Sequence, residues 1–187
     1  MNQSPNIVVR KPLPKITWIL ALICATVPSF AAAAAEGPRL GKPASRQEIA
    51  AWNLTVFPDG KGLPPGHGSA VEGKAVYERH CASCHGTNGL GGSGEELAGA
   101  KHRLIDSNPD KTIGTYWPTA TTLFDFVRRS MPPDAPSSLS NDQIYAVCAY
   151  LLYLNGIIPE SSTLNAVDLP KVKMPNREGF IRVDAPK

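Results

Sequence analysis

The segment Cys81-Ala82-Ser83-Cys84-His85 constrains this chain more than any other feature of its sequence. C-x-x-C-H is the attachment pattern for a c-type haem. Two thiols three residues apart can each form a thioether with a vinyl group of one porphyrin, while the adjacent imidazole reaches the iron. We therefore expect one covalently bound haem c, attached through Cys81 and Cys84, with His85 as an axial ligand.

Other uses of this cysteine pair fit the sequence less well. A zinc site needs further Cys or His ligands at finger-like spacing, and only His102 and Cys148 follow, each alone. A thioredoxin-like redox pair belongs in a βαβ unit, which is absent here. The nearby run Gly89-Leu90-Gly91-Gly92-Ser93-Gly94 matches G-x-G-x-x-G but lacks the strand and helix of a dinucleotide site. We interpret that run as a flexible loop at the porphyrin edge.

Met131 is the best-placed second axial ligand. It lies 46 residues after His85, between an expected helix and the pair Pro132-Pro133. Proline restricts its own backbone and that of the residue before it, so such a turn can hold a thioether at low entropic cost. Met174, also followed by proline, is the next candidate. A ligand from His67, His80 or His102 stays open, although each is most simply a surface histidine.

The first 35 residues have the features of an export signal. A basic stretch ending at Lys15 is followed by the apolar run 16–30 and five alanines, with a cleavage site before Glu36. Cleavage removes Cys24 and predicts a periplasmic protein. The alternative is an uncleaved anchor, since 20 residues can span a bilayer. A membrane association is expected only in that case.

The charge of the expected mature chain argues against nucleic-acid binding. The whole chain carries 19 Lys and Arg against 16 Asp and Glu. Three of the basic residues, and none of the acidic ones, precede residue 36. The mature part is therefore neutral and lacks the basic footprint that phosphate-backbone binding requires.

Three capping boxes predict helices on both sides of the haem segment. Ser45 with Glu48, Ser69 with Glu72, and Ser140 with Gln143 have the required spacing. We expect helices over 45–52, from 69 to about 79, and from 140 to Asn155-Gly156, with a further short helix over 121–130 that delivers Met131. Gly73 would let the second and last of these helices cross closely, with Tyr77 near Ala149 or Tyr153. Cys148 would then be a buried core thiol.

The arrangement of residues 69–156 resembles a class I cytochrome c, with C-x-x-C-H after the first helix and a Met-Pro loop before the last. The stretches WNLTVFPDGKGLPPGHG (52–68), YWPTATTLFDF (116–126), LLYLNGIIP (151–159) and MPNREGF (174–180) are similar to the cytochrome subunits of bacterial sulfite and sulfane dehydrogenases. The resemblance implies an all-α domain around one haem. We divide the chain into a signal peptide (1–35), an N-terminal arm with a short helix (36–68), the cytochrome domain (69–156) and an extended C-terminal tail (157–187).

The resemblance also implies a partner. A molybdopterin-containing dehydrogenase subunit would oxidise the sulfur compound and pass electrons singly to this haem, which would donate them to a downstream cytochrome or oxidase. No substrate chemistry is expected on this chain. Some cytochrome subunits of this group carry two haems, whereas this chain has one C-x-x-C-H motif. A free-standing electron shuttle, or a subunit of another dehydrogenase or oxidase, is the alternative.

Two structural details remain open at the level of sequence. The irregular arms either wrap their own domain or lie along another subunit. Tyr116, Trp117 and Arg128 are candidates to hydrogen-bond the haem propionates, because they lie close to Met131 in the sequence.

Overall fold

A computed structural model describes residues 40–181 of the protein. The expected signal peptide, Cys24 and the last six residues lie outside this range. The compact unit that carries the helices begins at Ala44. None of the helices within residues 40–181 is long and apolar enough to cross a membrane.

Six α-helices and a two-stranded sheet make up the regular structure of the described residues. The helices are α1 (Arg46–Trp52), α2 (Ala70–His80), α3 (Ala82–His85), α4 (Ile113–Tyr116), α5 (Ala120–Ser130) and α6 (Asn141–Leu154). The strands are β1 (His67–Ser69) and β2 (Thr163–Asn165), and single 3-10 turns cover Thr87–Gly89 and Leu169–Lys171. The expected all-α architecture is confirmed, with this small sheet as its one β element in the part of the chain described.

The three predicted capping boxes all form. In α1, α2 and α6 the N-cap serine accepts a hydrogen bond from the backbone N–H three residues later, and the Glu or Gln there accepts from the serine N–H. Each box satisfies two backbone donors that the first helical turn leaves without partners. The predicted helix starts are therefore correct to within one residue.

The centre of the fold is the crossing of α2 over α6. Helix α6 is buried along its whole middle, from Ile144 to Leu152. A Cβ atom added to Gly73 would lie 1.9 Å from the Ala146 carbonyl oxygen, so only glycine allows this approach. The expected close crossing is confirmed. The aromatic partner of Tyr77 is Tyr150, at 5.5 Å between ring centroids, rather than the predicted Ala149 or Tyr153.

Helix α5 packs on the other side of α6. Leu123, Phe124 and Val127 are buried on its inner side, as predicted. The ring centroids of Phe124 and Tyr145 are 4.6 Å apart. The chain leaves α5 at Met131, whose N–H still donates to the Val127 carbonyl (3.1 Å). Met131 is thus attached directly to the last turn of a packed helix.

The flanking segments wrap their own domain within the described range. Strands β1 and β2 pair antiparallel, with His67 opposite Asn165 and Ser69 opposite Thr163. Farther along the tail, Leu169 and Met174 are buried in the same core as α5 and α6. Leu164, Leu169 and Met174 are buried, so this part of the tail packs on its own domain and contributes to the core, whereas Phe180 and Ile181 are exposed.

Candidate haem-binding site

The segment C-x-x-C-H forms a single helical turn directly after α2. Cys81 caps α2, its N–H donating to the Tyr77 carbonyl (2.8 Å). The Cys81 carbonyl then accepts from the N–H groups of Cys84 (3.2 Å) and His85 (3.0 Å). Residues three and four apart on a helical turn share one face, so the structure brings the two thiols and the imidazole together on one side of this turn.

The orientation and tautomer of the His85 ring are set by a backbone carbonyl. Its Nδ1 lies 2.7 Å from the carbonyl oxygen of Glu95. Because a carbonyl only accepts hydrogen bonds, Nδ1 is the donor, and in a neutral ring this leaves the lone pair on Nε2. A neutral imidazole with a free Nε2 is the form that coordinates haem iron, so this donor fits the group that the motif implies.

The glycine-rich loop, which we interpreted from the sequence as flexible, is tied to the attachment turn by backbone hydrogen bonds. Gly91 N–H donates to the His85 carbonyl (2.9 Å), and Gly94 N–H donates to the Cys84 carbonyl (2.8 Å). Gly86 has a φ of 73°, and a Cβ atom there would lie 2.1 Å from the Gly91 carbonyl oxygen. Close backbone approach, rather than chain mobility, explains why glycine occupies these positions. The loop closes around the backbone of the attachment turn.

Tyr77 also holds the attachment turn in place, although the sequence predicted only a packing role for it. Its hydroxyl donates to the carbonyl oxygen of Gly86 (2.8 Å), the residue directly after His85. Burial is the main cause that raises the pKa of Tyr77 to about 12, so the hydroxyl stays protonated and remains a donor. This bond ties the attachment turn to α2 over a separation of nine residues. The helical spacing indicated which face Tyr77 occupies but not this polar contact.

The environment of Cys81 does not resemble that of a redox-active thiol. Burial, with a smaller effect of the neighbouring Cys84, raises the pKa of Cys81 to about 11. Reactive cysteines of C-x-x-C oxidoreductases have lowered pKa values, because the thiolate is the nucleophile. Within residues 40–181, no group of three or more His, Cys, Asp or Glu side chains is placed to hold a metal ion.

Met131 lies half-buried at the end of α5. Its side chain packs against the same hydrophobic core as Cys81 and Leu97. The peptide bond between Met131 and Pro132 is cis. The structure thus places Met131 at the edge of the hydrophobic core, at the C-terminal end of α5.

The other candidate ligands have other surroundings. Met174 is 4% exposed and lies in the core beyond the second 3-10 turn. His102 Nδ1 lies 3.1 Å from a carboxylate oxygen of Asp110. His67 is an exposed residue of β1, and His80 is the last residue of α2.

The three residues considered for the haem propionates have different surroundings. Arg128 Nη1 donates to the Leu54 carbonyl (3.3 Å), which directs the guanidinium toward the N-terminal arm. Trp117 is half-buried and packs edge-to-face on Phe126, at 5.6 Å between centroids, while Tyr116 is exposed. The contact to Leu54 gives Arg128 a structural partner within the chain.

Cys148 is a core thiol, as predicted. It lies in the middle of α6 and is 0% exposed. Burial raises the pKa of its thiol far above the usual range. The Cys148 thiol is therefore inaccessible to solvent in the folded chain.

Comparison with known proteins identifies the family. The family described as Cytochrome c matches residues 70–155. A chain in the crystal structure of the sulfane dehydrogenase SoxCD from Paracoccus pantotrophus is 44% identical, with a TM-score of 0.73, over 78% of this chain and 72% of that chain. A search of curated proteins finds no match. The protein therefore belongs to the cytochrome c family, with a class I fold, and is an electron-transfer protein with covalently bound haem c.

Proposed function

We propose that this chain is the mono-haem electron-transfer subunit of a periplasmic, molybdenum-containing dehydrogenase that oxidises sulfite or a related sulfur compound. The observation that carries the proposal is the 44% identity to a chain of a sulfane dehydrogenase. That likeness covers 78% of the chain, a larger share than residues 70–155, so it extends beyond the region common to cytochromes c. A generic electron shuttle gives no reason for similarity outside that region.

The proposed haem ligands rest on the C-x-x-C-H motif and on the position of Met131 directly after α5. Cys81 and Cys84 would attach the porphyrin through thioethers, and His85 Nε2 and the Met131 sulfur would bind the iron. The Glu95 carbonyl supports this assignment because it orients the His85 ring and leaves Nε2 free. Haem iron bound in this way cycles between Fe(III) and Fe(II), accepting and releasing one electron at a time.

The protein's own residues determine how readily that electron is accepted. A thioether is a neutral and weakly donating ligand, and ligation by Met with His raises the reduction potential relative to two nitrogen ligands. The core around Cys81 and Met131 is apolar, which excludes water from one side of the site. Both effects favour accepting electrons from a molybdenum centre. We assign no bond-making chemistry to this chain.

Attachment itself is tested by acid–acetone extraction of the purified protein. Two thioethers keep the haem on the polypeptide, and a Cys84→Ala variant keeps it through one. Colour that moves entirely into the organic phase with the unmodified chain would overturn the ligand assignment.

The partner is tested on the native complex. We expect a molybdopterin subunit to co-purify with this chain from the periplasmic fraction, and stopped-flow mixing with sulfite or a protein-bound sulfane to reduce the haem. The same chain purified without that subunit is the control and should stay oxidised. A monomeric native protein that no sulfur donor reduces would instead identify a free-standing shuttle. Electrons are expected to leave toward a second cytochrome or an oxidase.

Export is tested by the N-terminus of the mature protein. Cleavage before Glu36 predicts a chain whose mass corresponds to residues 36–187 and that fractionates with periplasmic proteins. A full-length chain in the membrane fraction would show that residues 16–35 act as an uncleaved anchor.

A further inference from the structure

The N-terminal arm lies along α5, the helix that Met131 directly follows. Residues 54–58 supply backbone atoms to three α5 side chains. Thr121 Oγ1 donates to the Pro58 carbonyl (3.3 Å), Asp125 Oδ1 accepts from Val56 N–H (2.8 Å), and Arg128 Nη1 donates to the Leu54 carbonyl (3.3 Å). We call this set the arm–helix contact. Its helix positions are four and three residues apart, so they lie on one face of α5.

Asp125 is the central residue of the arm–helix contact. It is 8% exposed, and Val56, whose N–H it accepts, is 7% exposed. Its second carboxylate oxygen pairs with Arg129 on the next turn of α5. A buried N–H that loses its acceptor is costly, so this bond holds the arm against the helix more strongly than an exposed contact of the same length.

Helix α5 is therefore held on two adjacent faces. Phe124 packs on Tyr145 of α6, and the arm–helix contact secures the neighbouring face, within about 100° of Phe124 around the helix. Met131 follows the last turn directly, with its N–H on the Val127 carbonyl. A small rotation or shift of α5 would consequently displace the Met131 sulfur, because no loop separates the two.

We propose that the arm–helix contact, with Asp125 as its principal positioning residue, fixes α5 so that Met131 stays on the haem iron and resists displacement by other ligands. This inference rests on the proposed role of Met131 as an axial ligand. The arm is thus a support for ligation, in addition to any contact it makes with a partner subunit.

Competition with free imidazole tests the inference in the oxidised, haem-loaded, full-length protein. Imidazole displaces a weakly held thioether, and the loss of the sulfur-to-iron absorption band reports the exchange. Removing one hydrogen bond to a charged group corresponds to about a tenfold change in equilibrium, so Asp125→Ala should lower the apparent Kd for imidazole about tenfold. Arg128→Met, which keeps the aliphatic packing, should lower it about threefold, because the bond to the Leu54 carbonyl is longer (3.3 Å) and Arg128 is less buried than Asp125.

Two controls separate positioning from general destabilisation. Ser69→Ala removes the capping box of α2 without touching the arm–helix contact, and should leave imidazole affinity unchanged. Arg129→Lys keeps a cation beside Asp125 and the bond to Val56, and should have little effect.

The outcomes distinguish this inference from the ligand assignment on which it rests. If Met131→Ala leaves the absorption band intact, Met131 is not the ligand and both proposals fall. If Met131→Ala abolishes the band but Asp125→Ala and Arg128→Met bind imidazole as the unmodified protein does, the arm–helix contact has no positioning role. If the Asp125→Ala protein fails to incorporate haem, the imidazole Kd of Arg128→Met is the test instead. An unchanged Kd for that variant contradicts the inference.

Discussion

The crossing of α2 over α6 makes a quantitative prediction about Gly73. A Cβ atom there would lie 1.9 Å from the Ala146 carbonyl oxygen and 2.8 Å from the Tyr150 Cβ, whereas real Cβ contacts essentially never fall below 3.0 Å. Gly73→Ala must therefore push the helices apart by about 1 Å or more against backbone that cannot rotate away. The separation also loosens Tyr77 against Tyr150.

Two opposing effects set the size of the change. Overpacking against backbone costs about 3 kcal/mol, at the upper end of the usual range for inserted methyl groups. The higher helix propensity of alanine offsets about 1 kcal/mol of this loss in the free energy of unfolding. We therefore expect Gly73→Ala to lower the free energy of unfolding by about 2 kcal/mol, a large share of the stability of a domain of this size.

Urea denaturation of the haem-loaded protein, followed by far-UV circular dichroism, measures this difference. Ala75→Gly is the matched control, since Ala75 lies exposed in the same helix and its replacement changes propensity without a clash. It should lose about 1 kcal/mol. If Gly73→Ala is as stable as the unmodified protein, or more stable, propensity dominates and the reasoning from close approach is wrong.

Three further predictions concern the site and the core. Met131→Ala should abolish the sulfur-to-iron absorption band and lower the reduction potential, whereas Met174→Ala should keep the band and lose about 2–5 kcal/mol of stability in urea, because Met174 is buried in the core. Gly86→Ala should reduce the yield of covalently attached haem, measured by haem absorbance per protein, since its Cβ would meet the Gly91 carbonyl; normal yield would contradict this. Cys148 should resist alkylation by iodoacetamide in the native protein and react only in urea, as mass spectrometry can show, because burial keeps its thiol inaccessible and its pKa high.

Local signals in the sequence predicted the helices well. A capping box involves residues three apart, so Ser69 with Glu72 and Ser140 with Gln143 could be recognised without knowing the fold. The lack of a side chain at Gly73 likewise predicted that α2 and α6 cross closely. The sequence predicted Ala149 or Tyr153 near Tyr77, whereas the ring that pairs with it is Tyr150, because periodicity gives the face of a helix but not the register of two helices that cross.

The hydrogen bonds between the N-terminal arm and α5 were not predicted, for a physical reason. Asp125 accepts a hydrogen bond from Val56, 69 residues earlier, and nothing in the local sequence of either residue indicates that pairing. Strands β1 and β2 are three residues long, too short to show an alternating pattern. The order of the glycine-rich loop also depends on tertiary bonds, in particular that of Gly94 to Cys84.

The pairing of β1 with β2 has a consequence for how the flanking segments come apart. Because His67 lies opposite Asn165 and Ser69 opposite Thr163, each strand supplies the backbone partners of the other. Opening of either strand therefore exposes both, and we expect the amides of the two strands to exchange with solvent deuterium together rather than independently.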